Sequence, residues 1–556
     1  SVAFCHTTPL SIAAGKTLSG AITVTAGSIK LGETGTLAST VSMSGGTLDA
    51  NINMTISGAL SHSGDITIDV ANYRTLTYSG TAINVGPNTI TLSGGGSLVS
   101  GGITLNDAQS KLLLNKITLD SASTSANSLG LDVDDNSAIT SLSVGHITPV
   151  SIKANKSLSG SITVTGGSIK LGEAGTLASN ISMSGGTLDA DNNLTLSGAL
   201  TQSGDITIDV AEDKTLGYSG AAVNLGAKTL TMSGKGTFSN TNALVLNSAY
   251  SKLRLSNTTT VSSVSTSAPS QGVDVDESST ITSLAVGHKT PVSIAAGKTL
   301  SGGITVTAVT GGSSIKLGET GTLASTVSMS GGTLDANNNM TISGALSHSG
   351  NIIIDVLRNM TLTYTGTAIN VGANTISLRG EGSLVSGGIT LNNAQSKLLL
   401  NSITLDSAST SANSLGVDVD TNSTITSLSV GHITPVSIKA YRTLSGSITV
   451  TAGSIKLGET GTLGSTVTMS GGTLDADATL TLSGALTQSG DIEIHVGQDK
   501  TLGYSGAAVN LGAKTLTMSG KGTFSNTNAL VLNNASSKLL LDNTTTVGSV
   551  STSLAS

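Results

Sequence analysis

Tryptophan is absent from the 556 residues, and aromatic side chains amount to only 2% of them. Wide globular interiors are usually filled by such side chains, so the chain lacks the material for a conventional large core. Charge is also scarce, with 11% charged residues and a formal net charge of −7. Without a Lys/Arg cluster, that balance excludes nucleic-acid binding through a basic patch. No apolar run approaches the roughly 18 residues that a membrane-spanning helix requires. Cys5 is the single cysteine, which excludes an internal disulfide. An exported protein and a cytosolic one would both suit that count. The amino end has no basic segment followed by an apolar core, so it does not read as a signal peptide.

What the chain has is small residues and repetition. Hydrophobic residues make up 37% and the mean hydropathy is +0.22, too apolar for a disordered chain. The heptapeptide Ser-Gly-Gly-Thr-Leu-Asp-Ala at 44–50 returns at 184–190, 330–336 and 470–476. A His-x-Thr-Pro junction returns at His6, His146, His288 and His432, at intervals of 140, 142 and 144 residues. The last interval contains a small polar insertion within 307–316, as expected of a loop. Residues 78–86 match 364–372, and residues 217–226 match 503–512, so the units alternate. This defines four tandem repeats in ABAB order: 1–145, 146–287, 288–431 and 432–556, the last incomplete. The start falls at a junction and the end inside a unit. Stacked repeats need polar caps, so the reading expects self-association through uncapped ends, or a longer parent array.

Within a unit the hydrophobic period is two. Ala-Ile-Thr-Val-Thr at 21–25, Asp-Ile-Thr-Ile-Asp-Val at 65–70 and Thr-Ile-Thr-Leu-Ser at 89–93 alternate aliphatic with polar residues. Each is about five residues long and is closed by Gly, Ser or Asn turn chemistry. Alternation sends Val, Ile and Leu to one face and Thr or Ser to the other. Strands so short and so regularly interrupted suit an all-β, elongated, right-handed parallel β-solenoid, whose thin interior needs no aromatics. With coils of roughly 20 residues stacked about 4.8 Å apart, the chain would make about 28 coils in one continuous solenoid. A string of β-sandwich modules is the competing fold, and it would need longer strands and larger core residues.

Gly-Thr-Leu, Thr-Leu-Ser-Gly and Ile-Thr-Leu-Ser-Gly-Gly-Gly-Ser-Leu resemble the repeat shafts of bacterial surface adhesins. Filamentous-haemagglutinin-like and autotransporter passenger β-helices are of this kind. The resemblance covers nearly the whole chain, and it implies an extracellular, rod-like, non-enzymatic part at the cell surface. The expected function is therefore a structural or adhesive fibre. A glycan- or receptor-binding β-helical module is the alternative, with a polysaccharide-degrading enzyme or an ice-binding protein further off.

The best chemical candidates are alternating oxygen side chains: Asp132, Asp134, Asn136; Asp274, Asp276, Ser278; and Asp418, Asp420, Asn422. Their spacing resembles the start of a calcium loop, but the Gly at position six and the distal Glu are missing. A solvated strand face is the plain reading. The junction histidines lie about seven coils apart, too far to share a metal, and read as turn residues. His62 and His348 align with Gln202 and Gln488, which fits a polar surface position. Asp49, Asp189, Asp335 and Asp475 recur after Gly-Thr-Leu in every unit, with the Asp expected to face water. Recurring acids of this kind do not single out a catalytic cleft. Aligned Tyr78, Tyr218, Tyr364 and Tyr504 are the aromatics to inspect for stacking on a sugar.

Overall fold

The computed structural model describes residues 1–309, 312–543 and 545–553. The chain divides into two compact units, Ser1–Ser283 and Leu284–Ser556. The division falls within a few residues of the expected boundary between the two AB pairs. Each unit is a parallel β-solenoid, and the described residues contain no α-helix. No helix among them is long and apolar enough to cross a membrane.

In the first unit the early coils run through three short strands per turn. One turn comprises Ser28–Leu31, Thr36–Leu37 and Thr40–Met43; the next comprises Thr47–Ala50, Met54–Ile56 and Leu60–His62. Each strand pairs in parallel with its counterpart about one coil later, as in Ile29 beside Leu48 and Leu48 beside Ile68. One face carries fourteen such strands in the first unit and thirteen in the second, among the described residues. At about 4.8 Å per coil, fourteen coils stack to roughly 65 Å. The expectation of seven coils per 140 residues holds. Six strands of this face lie between Thr8–Leu10 and Thr148–Ile152. In some coils the other two faces fuse, giving the long strands Thr118–Thr124, Ser137–Val144 and Ser157–Val164.

Alternation builds the interior as expected. Ile29, Leu48, Ile68, Leu92, Leu114, Val133 and Ile152 occupy successive rungs of one ladder, and none exceeds 1% exposure. Each fully buried side chain contributes about 1.5–3 kcal/mol relative to exposure, so short strands cohere through stacking rather than length. Aromatics enter the core only locally: Phe238 stacks on Tyr218 and Phe524 on Tyr504, each with ring centroids 5.8 Å apart.

The recurring heptapeptide forms a corner followed by a strand. Its second glycine adopts φ of 83° at Gly46 and 82° at Gly186, a region where a side chain is strained. A Cβ there would also lie only 2.2 Å from Gly27 O, or 2.3 Å from Gly167 O, on the preceding coil. Leu48 points inward as expected, whereas Asp49 is only partly exposed, correcting its placement in open water. The outer row repeats about every 4.8 Å, and Lys30 and Asp69 of the neighbouring coils flank it on either side. The insertion lies between Thr299–Val306 and Ser314–Leu317, where a loop is expected. Residues 310 and 311 of it lie outside the described residues.

Candidate functional site

The outer rows show what each sequence candidate does. Asp132 pairs with Lys111 of the preceding coil at 2.5 Å, Asp418 with Lys397 at 2.5 Å, and Asp274 with Lys252. Asp276 pairs with Arg254 at 2.6 Å and Asp420 with Lys439 at 2.6 Å, while Asp134 is exposed. Asn136 Oδ1 accepts from Ser157 N at 2.9 Å, and Asn422 Oδ1 from Thr443 N at 3.0 Å. These amides tie their corners to the following coil. The alternating motif therefore links coils in both directions, and a cation at it would have to displace the paired lysines and Arg254.

The junction histidines hold corners, as expected. Their carbonyls accept from the hydroxyls of Thr8, Thr148, Thr290 and Thr434 at 3.0–3.1 Å. His62 and His348 are partly exposed polar residues on the outer row, and their rings also reach backbone carbonyls. His62 bridges Gly64 O at 3.0 Å and Asn84 O at 2.9 Å, and His348 bridges Gly350 O and Asn370 O, each at 3.0 Å. Gln202 and Gln488 bond to Leu225 O and Leu511 O in the same way, with one amide N–H each at 3.0 Å. The bonds to the next coil are exposed for the histidines and part-buried for the glutamines, and they form because a carbonyl of that coil lies within a side chain's reach.

All four aligned tyrosines are buried, at 1–4% exposure. Their hydroxyls accept from the backbone N–H of Leu60, Leu200, Leu346 and Leu486 at 3.1–3.2 Å. Burial pushes the hydroxyl pKa of Tyr218 and Tyr504 above the ordinary value. They cannot stack on a ligand. Three other tyrosines are exposed: Tyr250 at 66%, and Tyr73 at 96% and Tyr441 at 97%, the last two at turn positions with φ of 61°.

The fourth unit carries a cluster that the described residues of the other three do not repeat. Its strand Ile492–Val496 reads Ile-Glu-Ile-His-Val, against Ile-Thr-Ile-Asp-Val in Ile66–Val70 and Ile206–Val210. In register, Asp475 lies beside His495, and His495 beside Ser519. Asp475, Asp477 and His495 offer ligand atoms all within 4.8 Å of one another, the one such group of His, Cys, Asp or Glu among the described residues. His495 Nδ1 lies 3.0 Å from Ser519 Oγ, and that hydroxyl donates to Glu493. Burial holds the Asp475 carboxyl above the usual carboxylate range, and the Asp477 charge adds to the effect. The acids that recur in every unit single out no site, whereas this set, specific to one unit, brings possible ligand atoms together. The signal was the pair of changes Thr207 to Glu493 and Asp209 to His495 between aligned copies, which shape recurrence alone does not reveal.

Fold and outer rows together define a parallel β-solenoid whose surface side chains chiefly tie neighbouring coils. Set against known proteins, the chain matches no family model, no curated protein and no solved structure.

Proposed function

We propose that the chain is an extracellular structural or adhesive fibre protein, a length of stiff β-solenoid shaft at the cell surface. The observation that carries this reading is where the outward side chains are used. Lys111, Asn136, His62 and their counterparts bind the adjacent coil, so the surface reinforces the stack rather than forming a cleft. Resemblance of the Gly-Thr-Leu and Thr-Leu-Ser-Gly motifs to surface-adhesin shafts supports the location. Such a shaft bears load through backbone hydrogen bonds that run along the solenoid axis.

In a chain of these 556 residues, apolar side chains lie open at the terminal coils: Val2 at 53%, Leu541 at 54% and Val550 at 48%. Strand edges of this kind pair with further strands, which supports end-to-end association. Immunogold labelling of intact source cells tests the proposal. Gold along surface fibres is expected; label confined to the cell interior in thin sections would contradict it.

One observation favours the glycan- or receptor-binding alternative. Tyr73 and Tyr441 hold almost fully exposed rings in a backbone conformation unfavourable for bulky residues. Backbone strain of this sort concentrates at functional positions, and flat aromatic faces suit sugar rings. On this reading, glycan-array signal falls in a Tyr73→Asn, Tyr441→Asn double variant; an unchanged array profile rejects it.

A further inference from the structure

We propose that Asp475, Asp477 and His495 form a binding site for a divalent transition metal of borderline softness, such as Zn²⁺. One imidazole and two carboxylates are a ligand set that such ions accept, whereas Ca²⁺ takes oxygen ligands alone. Ligands about 2 Å from a tetrahedral metal lie roughly 3.3 Å apart. The observed spacing within 4.8 Å closes to this with small side-chain rotations.

A second, independent observation points to a cation. Asp475 Oδ1 is sealed from solvent and has no hydrogen-bond partner. Buried carboxylate oxygens are costly unless paired. Asp477 offers it only another carboxylate, which cannot donate while ionised. Lys456 approaches the other oxygen, Oδ2, at 3.8 Å. The aligned position in the third unit shows the contrast. There Asn337, with its amide nitrogen turned toward Asp335 Oδ1, donates at 3.0 Å.

The surroundings of His495 also suit a ligand. Ser519 donates its hydroxyl proton to Glu493, so its oxygen must accept from His495 Nδ1–H. That fixes the tautomer and leaves Nε2 with the free lone pair. Metal-bound imidazoles characteristically donate their second N–H to an outer partner, which orients the ring and raises its basicity. In the first two units the equivalent serines, Ser93 and Ser233, instead donate to Asp69 at 2.7 Å and Asp209 at 2.5 Å. Two changes in one strand, Glu at 493 and His at 495, therefore convert an ordinary Asp–Ser rung into a His–Ser–Glu relay. Asp477 is exposed and leaves the site open to solvent on one side, which gives the ion a way in.

Titration of ZnCl₂ into the full chain by calorimetry at neutral pH tests the site. The expected result is one saturating Zn²⁺ per chain. His495→Asp and Asp477→Asn, which install residues carried by aligned copies, are expected to abolish that binding phase. Ser519→Ala should weaken it by about 10–100-fold. Because a variant could lose binding through misfolding, ring NMR of the wild-type histidines provides a second reading. Substoichiometric Zn²⁺ should first perturb one of the seven ring signals, the one missing in His495→Asp. Absence of saturable binding, an isotherm unchanged by His495→Asp, or first perturbation of another histidine would overturn the proposal.

Discussion

At Tyr73 and Tyr441 a bulky residue occupies a turn slot with φ of 61°. Aligned copies fill the first slot with Asp213, Asn359 and Asp499, and the second with Gly15, Asn155 and Gly297. Those residue types tolerate the left-handed region, whereas a tyrosine there costs on the order of 1 kcal/mol. Tyr73→Asn should therefore raise unfolding stability by about that amount in urea titration. A glycine at the repeated corner shows the opposite sensitivity. Gly186→Ala adds a Cβ at 2.3 Å from Gly167 O on top of an unfavourable φ. It should cost more than about 1–2 kcal/mol and lower the midpoint of the same titration. The corner glycine was legible because Gly-Gly recurs before each strand. The strained tyrosines were not, since a turn's handedness depends on the coil beneath it and tyrosine gives no local signal for it.

Strands and corners owe their stability to contacts between successive coils. Tyr218 shows this: its hydroxyl accepts from Leu200 N at 3.1 Å and donates to Ala221 O at 2.6 Å. Tyr218→Phe keeps the stack on Phe238 but removes the partner of the buried Leu200 N–H and of the part-buried Ala221 carbonyl. A loss of about 1–3 kcal/mol is expected, measured as a lower denaturation midpoint. The outer aspartate row gives a pH dependence. Burial, with the Asp355 charge next in weight, raises the Asp335 pKa above the ordinary carboxylate value. A raised carboxyl means that the fold binds the proton more tightly than the unfolded chain does. Its favourable contribution is then present below the unfolded pKa and is lost as pH rises through the folded pKa. Asp335→Asn should accordingly gain stability over wild type at pH 7, with the gain shrinking in melts at acidic pH. Strand positions and inward residues were readable from the alternation of Ile, Val and Leu. The partners of the outer residues were not, because Lys111 and Asp132, or His495 and Ser519, meet only when coils some 20 residues apart come into register. The four aligned tyrosines misled for a related reason: their inward or outward direction depends on strand phase, and a polar hydroxyl disguised a core position.

For the whole molecule, the proposed shaft makes a specific demand on how chains behave in solution. Each solenoid unit stacks its coils in parallel register, and in a chain of these 556 residues the first and last coils hold apolar side chains open. Backbone hydrogen bonding should therefore continue from one chain into another, giving assembly that depends on concentration and is blocked by charge at the open edge. Val2→Lys combined with Val550→Lys is expected to suppress it without shifting the melting temperature by more than a few degrees, because both side chains are already largely exposed. Electron microscopy of the purified wild-type chain over a range of concentrations is the most direct test. Thin rods that join end to end into filaments are the predicted result. Dispersed, compact particles at every concentration would contradict a self-assembling shaft.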